Sequence, residues 1–240
     1  MLEATKRSQA QKLLEPLVRP LPDAYTPEYC FGRLGKLAGC VWLDSSLQHE
    51  DLGRYSYLAV EPFSKLRIDR PYNDALASIA SFVAPYQREK VAGLPPFQGG
   101  LLGWFGYELG LCFEKIPSAK FNDFQLPVAY LGLYDTVLCW DHVQEKGWII
   151  SQGFPEVDPS ARQRRAYRRI KRLTQLLATE PMESDSSHGG YQISSSQLAP
   201  QFATSREQWT SNFTSADYRS AVAKAVDYIH SGDVFQVNLS

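Results

Sequence analysis

The chain has 240 residues, of which 44% are hydrophobic and 21% are charged. A chain of this length buries well over half of its unfolded surface, so a globular fold needs neither disulfides nor a structural metal for stability. The formal net charge of −1 excludes a general polyanion-binding protein and argues against intrinsic disorder.

Cysteine usage and the N-terminal sequence indicate a cellular compartment. Cys30, Cys40, Cys112 and Cys139 are far apart in the sequence, and none has a second cysteine or a histidine at metal-ligand spacing. This pattern is typical of free thiols in a reducing compartment. No stretch approaches the ~20 apolar residues of a membrane span, and the N-terminus lacks a signal-peptide core. We therefore expect a cytoplasmic protein with no membrane partner.

The first third of the chain predicts strands followed by a helix. Short apolar or alternating segments predict strands over residues 39–46, 54–60 and 65–69. Residues 74–86 carry apolar side chains at helical spacing, which predicts a helix packed on a sheet. Those apolar side chains are Leu76, Ile79, Phe82 and Val83.

An aromatic, strand-like segment over residues 97–110 is interrupted by Gly100, Gly103 and Gly106. Glycine inside a strand usually marks a bulge or the close approach of another backbone. The segment lacks the Gly-Lys-Ser/Thr end of a phosphate loop and the spacing of a dinucleotide site. It therefore predicts a bulged strand rather than a nucleotide site.

The middle of the chain predicts a hairpin and a long helix. Residues 127–141 read as one long strand, which residues 144–147 connect to a hairpin partner over 148–151. Asp158 and Pro159 have the pattern of an N-cap followed by the first helical residue. The apolar stripe of that helix comprises Ala166, Ile170, Leu173 and Leu177.

The polar side of that helix carries a basic run over residues 162–172. Because the rest of the chain is slightly acidic and few aromatic residues interrupt the run, it favours a solvated helix face over a nucleic-acid-binding surface. The four histidines lie in separate segments without a paired nucleophile, so the residue pattern alone predicts no catalytic constellation.

A second unit is predicted after a serine- and glycine-rich linker over residues 182–200. Ser215 is the predicted cap of a helix that Gly232 ends, and residues 234–240 predict a strand with one apolar face. The helix stripe comprises Tyr218, Val222, Val226 (or Ala225) and Ile229. A strand with no partner after it suggests that the sequence is truncated.

Several segments together resemble the chorismate-utilising family, specifically component I of aminodeoxychorismate synthase and its relative, component I of anthranilate synthase. The segments occur in the order of the family and are residues 42–46, 54–62, 97–110, 134–142 and 228–240. The Leu43-Asp44-Ser45 motif and the closing residues 236–240 look more like aminodeoxychorismate synthases than anthranilate synthases.

The resemblance implies an α+β fold in which antiparallel β-sheets stack with helices outside. Residues 1–180 would form the N-terminal domain, 181–212 a linker, and 213–240 the start of an incomplete chorismate-binding domain. The full-length protein would use Mg²⁺, and ammonia from a glutamine amidotransferase subunit (component II), to convert chorismate to 4-amino-4-deoxychorismate. The catalytic lysine and the Mg²⁺ ligands of the family lie beyond this chain, so we expect the chain alone to be inactive.

The resemblance also implies a pocket for L-tryptophan, a feedback inhibitor in anthranilate synthases and a structural ligand in some aminodeoxychorismate synthases. By motif, the pocket residues are Ser45, Leu52, Gly53, Arg54 and Tyr55, with Ser56 adjacent. A hydroxyl and strand-edge backbone groups can bind an amino acid's charged ends, and Tyr55 can flank the indole. The alternative is an ordinary sheet edge with a capping serine.

Two further hypotheses remain open from the sequence. The chain could be a stand-alone amino-acid-binding module, or part of an anthranilate synthase component I. A third and weaker hypothesis is nucleic-acid binding through the helix that carries the basic run.

Overall fold

The computed structural model describes residues 15–47, 49, 52–115, 117, 124–179 and 199–239. The chain divides into two compact units. The first comprises residues 1–116 and 127–185, and the second comprises residues 117–126 and 186–240. The two units are described separately.

Two antiparallel sheets form the centre of the first unit. The larger sheet has five strands in the order β1-β8-β7-β3-β2. These are β1 (Leu17–Pro20), β2 (Val41–Leu43), β3 (Tyr55–Ala59), β7 (Thr136–Asp141) and β8 (Lys146–Ser151). The smaller sheet has the order β4-β6-β5, with β4 (Ser64–Ile68), β5 (Gly100–Phe105) and β6 (Ala129–Tyr134).

The two sheets stack, and helices cover their outer faces. Successive side chains of a strand point to opposite faces. Leu58, Leu138 and Ile149 of the larger sheet pack with helices α1 (Pro27–Leu34) and α3 (Pro159–Ala178). The opposite face of that sheet packs against β5 and β6, in a cluster of Ala59, Leu102, Tyr134, Val137, Cys139 and Ile150. Helix α2 (Ala75–Val83) packs against β4 and β6 of the smaller sheet. This arrangement confirms the predicted α+β fold of stacked antiparallel sheets with helices outside.

The prediction of a single long strand over residues 127–141 is wrong. The chain forms β6 in one sheet and β7 in the other, with only Asp135 between them. Both strands are buried on both faces, so their sequence is almost continuously apolar and lacks the alternation that would reveal the break. The predicted hairpin between β7 and β8 is confirmed.

Helix α3 begins as predicted. The Asp158 carboxylate accepts a hydrogen bond from the N–H of Ala161 at 2.8 Å, and Pro159 is the first helical residue. The four predicted stripe residues are all buried. The helix predicted over residues 74–86 divides into α2 and a 3₁₀ turn over Ala84–Tyr86. Ile79 is buried as predicted, whereas Leu76 is exposed.

The second unit contains a short hairpin and helix α4 (Ser215–His230). The hairpin strands are β9 (Phe202–Ala203) and β10 (Thr210–Ser211), within the linker that the resemblance implies over residues 181–212. Residues 181–198 of that linker lie outside the described residues. Thr214, rather than the predicted Ser215, caps α4, because its hydroxyl accepts from the N–H of Asp217 at 3.1 Å. Gly232 follows the helix end with a positive φ, as predicted.

The prediction of a strand over residues 234–240 is also wrong for residues 234–239, the part of the segment that the structure describes. Residues 234–239 have no strand conformation, and Phe235 is 94% exposed. Strand hydrogen bonds need a partner, and no described residue pairs with this segment. An alternating apolar pattern therefore does not form a strand here.

Candidate functional site

Ser45 lies just beyond the end of β2, where hydrogen bonds from its side chain and backbone continue the pairing with β3. Leu43 is paired with Tyr57, and the same register places Ser45 opposite Tyr55. The Ser45 hydroxyl donates to the Tyr55 carbonyl at 2.6 Å, and the Ser45 N–H donates to the Ser56 Oγ at 3.1 Å. Because the only proton of the Ser45 hydroxyl is used, its oxygen can only accept a further hydrogen bond.

The buried Ser56 hydroxyl connects three neighbours. It donates to the Asp44 carboxylate at 3.0 Å, accepts from the Ser45 N–H, and lies 2.8 Å from His142 Nε2. Because an ionised Asp44 can only accept, the Ser56 proton is assigned to Asp44, and the proton between Ser56 and His142 is then assigned to Nε2. In this arrangement the imidazole cannot take the serine proton. The Ser56–His142 contact is thus a structural hydrogen bond, not a nucleophile with its base.

Arg54 is fixed by a bidentate ion pair with Asp141. Its Nε and Nη2 donate to the two carboxylate oxygens of Asp141 at 3.0 and 2.7 Å. The N–H groups of Val143 and Gln144 also donate to Asp141. Burial alone would raise the pKa of Asp141, but the hydrogen bonds from Arg54 and from these backbone groups outweigh burial and lower it. The guanidinium also lies 5.0 Å from the ring centre of Tyr55.

The other two predicted pocket residues precede β3. Leu52 is 69% exposed, and its N–H donates to Nδ1 of His49 at 3.1 Å. Gly53 has a φ of +86°, and a Cβ at this position would overlap the carbonyl oxygen of Leu47. Glycine is therefore required for the turn.

The structure places Ser45, Arg54 and Tyr55 together where the β2–β3 pair of the larger sheet ends, and the Ser56 hydroxyl contacts Asp44 and Ser45 beside them. Asp44 is the residue before Ser45 in the chain. The Tyr55 ring also pairs with the Tyr57 ring, with 6.3 Å between the ring centres. Asp141 and His142 were missed from the sequence as site residues. The sequence offered only an Asp-His pair at the end of the predicted strand as an indication. The β3–β7 register brings Asp141 and His142 to Arg54, and that register is set by the fold. Tryptophan binding at these residues stays a prediction.

The sequence predicted that the basic run of α3 forms a solvated face, and this prediction is wrong for part of the run. Arg165 and Arg169 lie 3.4 and 3.6 Å from the buried Asp135 carboxylate, and Arg169 and Arg172 bind Glu61 at 2.7 and 2.9 Å. Burial raises the pKa of Asp135, and the two arginines offset this only in part. These three arginines hold α3 against the sheets and are not free to bind nucleic acid phosphates.

A metal site needs several donor side chains that converge on one point. Across the ranges that the structure describes, no three His, Cys, Asp or Glu side chains come together as a metal site requires. The Mg²⁺ implied by the resemblance stays an expectation for the longer relatives. In the same ranges, no helix has the length and apolar character needed to cross a membrane.

Comparison with known proteins gives the family. The family model described as chorismate binding enzyme matches residues 39–240. Anthranilate synthase component 1 of Acetivibrio thermocellus is 30% identical over 233 residues, which are 91% of this chain and 45% of the relative. Aminodeoxychorismate synthase component 1 of Escherichia coli is 28% identical over 232 residues, with 89% and 44% covered. The chain thus spans less than half the length of these relatives.

A solved structure shares the fold. Anthranilate synthase component I from Streptococcus pneumoniae superposes with a TM-score of 0.50 at 18% identity, over 78% of this chain and 40% of that one. The likeness of fold agrees with the stacked sheets, and the family model covers more than half of the chain. The chain therefore belongs to the family of chorismate-binding enzymes.

Proposed function

We propose that this chain is the N-terminal part of an aminodeoxychorismate synthase component I, which replaces the 4-hydroxyl group of chorismate by an amino group. The reaction consumes chorismate and ammonia and releases water and 4-amino-4-deoxychorismate, a precursor of 4-aminobenzoate and folate. The family match over residues 39–240 supports a chorismate-utilising enzyme, and the Leu43-Asp44-Ser45 motif with residues 236–240 favours the aminodeoxychorismate branch over the anthranilate branch. Relatives named aminodeoxychorismate synthase component 1 occur in Escherichia coli and Bacillus subtilis.

The name component 1 of these relatives supports a partner subunit. We infer that the partner is a glutamine amidotransferase (component II) that supplies ammonia to the chorismate site. Ammonia would supply the nitrogen that replaces the hydroxyl group, and Mg²⁺ would be held by ligands outside this chain. On this proposal, the 240-residue chain alone does not turn over chorismate.

Within that enzyme, we propose that the chain binds L-tryptophan at the predicted pocket residues, which are Ser45, Leu52, Gly53, Arg54 and Tyr55. The Ser45 oxygen has its acceptor positions available, because its proton bonds Tyr55. The Asp44 carboxylate lies beside it, so this edge suits the ammonium group of an amino acid. Arg54 is already paired with Asp141 at both carboxylate oxygens. The ligand carboxylate would therefore bind chiefly to other groups, including those of the rest of the protein.

Product analysis tests the aminodeoxychorismate proposal. The chain and its reading frame extended past Ser240 would each be incubated with chorismate, ammonium and Mg²⁺, and the products separated by mass. We expect no product from the chain and 4-amino-4-deoxychorismate, which keeps the enolpyruvyl group, from the extended protein. Anthranilate from the extended protein would assign the chain to an anthranilate synthase instead. A stop codon after Ser240, with tryptophan binding retained, would support the stand-alone binding module.

A further inference from the structure

A cavity of about 200 Å³ in the first unit carries an excess of positive charge. Aromatic rings and polar side chains line it together, among them Phe63, Tyr86, Phe154, Gln98, Arg88 and Lys90. Glu89 is the one carboxylate in the lining. The cavity holds several water-sized volumes and therefore has room for a phosphate- or carboxylate-sized group.

A buried arginine adds to this charge. Arg162, in the first turn of α3, is only 2% exposed. Its Nε and Nη2 both donate to the carbonyl oxygen of Gln152, a cavity residue, at 3.1 and 3.0 Å, while Nη1 is buried without a hydrogen-bond partner. In the part of the chain that the structure describes, no carboxylate lies within ion-pair distance of Arg162. Buried arginines are almost always paired with a negative charge.

Arg162 and Arg88 contact the same aromatic ring. Their guanidinium carbons lie 4.7 and 5.2 Å from the ring centre of Phe154, which lines the cavity. The hydrogen-bond partners of Arg88 are the carbonyl oxygens of Pro85 and Gln87, which do not neutralise its charge. Burial, and then the charge of Arg88, lowers the pKa of Arg162. Two like charges are therefore held close together at an electrostatic cost.

We propose that this cavity binds a small oxyanion, either a phosphate or a carboxylate group, through Arg88 and Lys90 at its wall. Arg162 lies behind the lining, on the Phe154 ring, where its charge adds to the positive potential and its hydrogen bonds fix the backbone at Gln152. Arg88, Lys90 and Arg162 carry three positive charges against the one negative charge of Glu89, and a bound anion would offset this excess. A planar guanidinium can donate two parallel hydrogen bonds to two oxygens of either a carboxylate or a phosphate, and the aromatic rings of the lining strengthen the attraction by lowering the local dielectric.

The test measures binding of orthophosphate and of malonate to the chain by calorimetry. Chloride replaces each anion at equal ionic strength, so that general screening is removed. We expect one of the two anions to bind saturably and to raise the melting temperature above that of the chloride control. Preference for malonate would identify a carboxylate site, and preference for phosphate a phosphate site.

Two double variants of equal charge change test the location. Arg88 and Lys90 are exposed, so R88Q/K90Q leaves the core intact, and we expect anion affinity to fall at least tenfold. The control R164Q/R168Q removes two exposed positive charges from α3, and we expect affinity within twofold of the wild type. Equal affinity in all three proteins, or no anion-specific binding in the wild type, would overturn the proposal.

Discussion

Ser45 and Tyr55 lie opposite each other where the β2–β3 ladder would continue, and the Ser45 hydroxyl donates to the Tyr55 carbonyl at 2.6 Å. A side-chain donor here satisfies a backbone acceptor that regular strand pairing would otherwise satisfy. Strand β2 ends at Leu43, and Ser45 is half-buried, so its oxygen can still accept a hydrogen bond from a ligand. A sheet edge that ends in this way can present polar groups to a ligand while its own strands remain satisfied.

Gly103 should be among the least replaceable residues of the smaller sheet. It has a φ of +152°, and a Cβ at this position would overlap the carbonyl oxygen of Tyr130 in the neighbouring strand. Gly103→Ala should therefore lower the free energy of unfolding by about 2–4 kcal/mol, measured by urea denaturation. Gly110 has open space at its Cβ position. Gly110→Ala is the control, and a loss as large as that of Gly103→Ala would refute close packing as the cause.

The same glycine shows how far the sequence could predict the fold. A glycine inside an apolar strand indicated a bulge or a close backbone approach, and Gly103 has that close approach. The stripe of α3 was predictable because a helix buried on one side keeps a period of 3.6 residues. The break between two strands at Asp135 was not predictable, since strands buried on both faces carry no alternation of apolar and polar residues. Arg54 and Asp141 are 87 residues apart in sequence, and only the strand register brings them together.

Asp141 should stabilise the fold through its pair with Arg54. Asp141→Asn leaves a partly buried guanidinium with weaker acceptors, so we expect a loss of about 1–3 kcal/mol at pH 7. Asp69, whose pair with Arg67 is exposed on both sides (53% and 64%), provides the control. Asp69→Asn should change stability by less than about 1 kcal/mol. Comparable losses in both variants would mean that burial does not strengthen the Arg54 pair.

The Asp141 pair also predicts a dependence of stability on pH. The pKa of Asp141 is lower in the folded chain than its ordinary value of 3.8, so the folded chain favours the ionised form. The contribution is present above pH 3.8 and is lost as the pH falls through the folded pKa. Asp141→Asn should flatten the fall in stability below pH 4, measured by thermal unfolding across pH 2–6. An unchanged acid slope in the variant would contradict this.

Arg169 should be the most important cation of α3 for stability. It binds Glu61 at 2.7 Å and the Val60 carbonyl at 3.2 Å, and it approaches the buried Asp135. Arg169→Gln would leave the Asp135 carboxylate with less compensation, at a cost of about 2–4 kcal/mol. The neighbouring Arg168 is exposed, so Arg168→Gln should stay within about 0.5 kcal/mol of the wild type. Equal stability losses in the two variants would mean that Arg169 behaves as part of a solvated helix face, as the sequence predicted.

Ser45→Ala tests the proposed tryptophan site. If the Ser45 oxygen accepts a hydrogen bond from the ammonium group of the ligand, losing it should cost ~1.5–3 kcal/mol, or roughly tenfold to a hundredfold in affinity. Calorimetry with L-tryptophan would use the protein extended past Ser240, because we expect the ligand carboxylate to need groups outside this chain. We expect the 240-residue chain to bind more weakly than the extended protein.

Two variants separate a ligand contact at Ser45 from a structural effect. Ser45→Thr keeps the hydroxyl and should restore most of the affinity, whereas Ser46→Ala, at the next and exposed position, should leave it unchanged. A fall in melting temperature for Ser45→Ala without a change in affinity would assign the hydroxyl to the bond with Tyr55 alone. Equal tryptophan affinity in wild type and Ser45→Ala would remove Ser45 from the site, and no binding in any variant would leave the Ser45–Tyr55 edge as sheet structure.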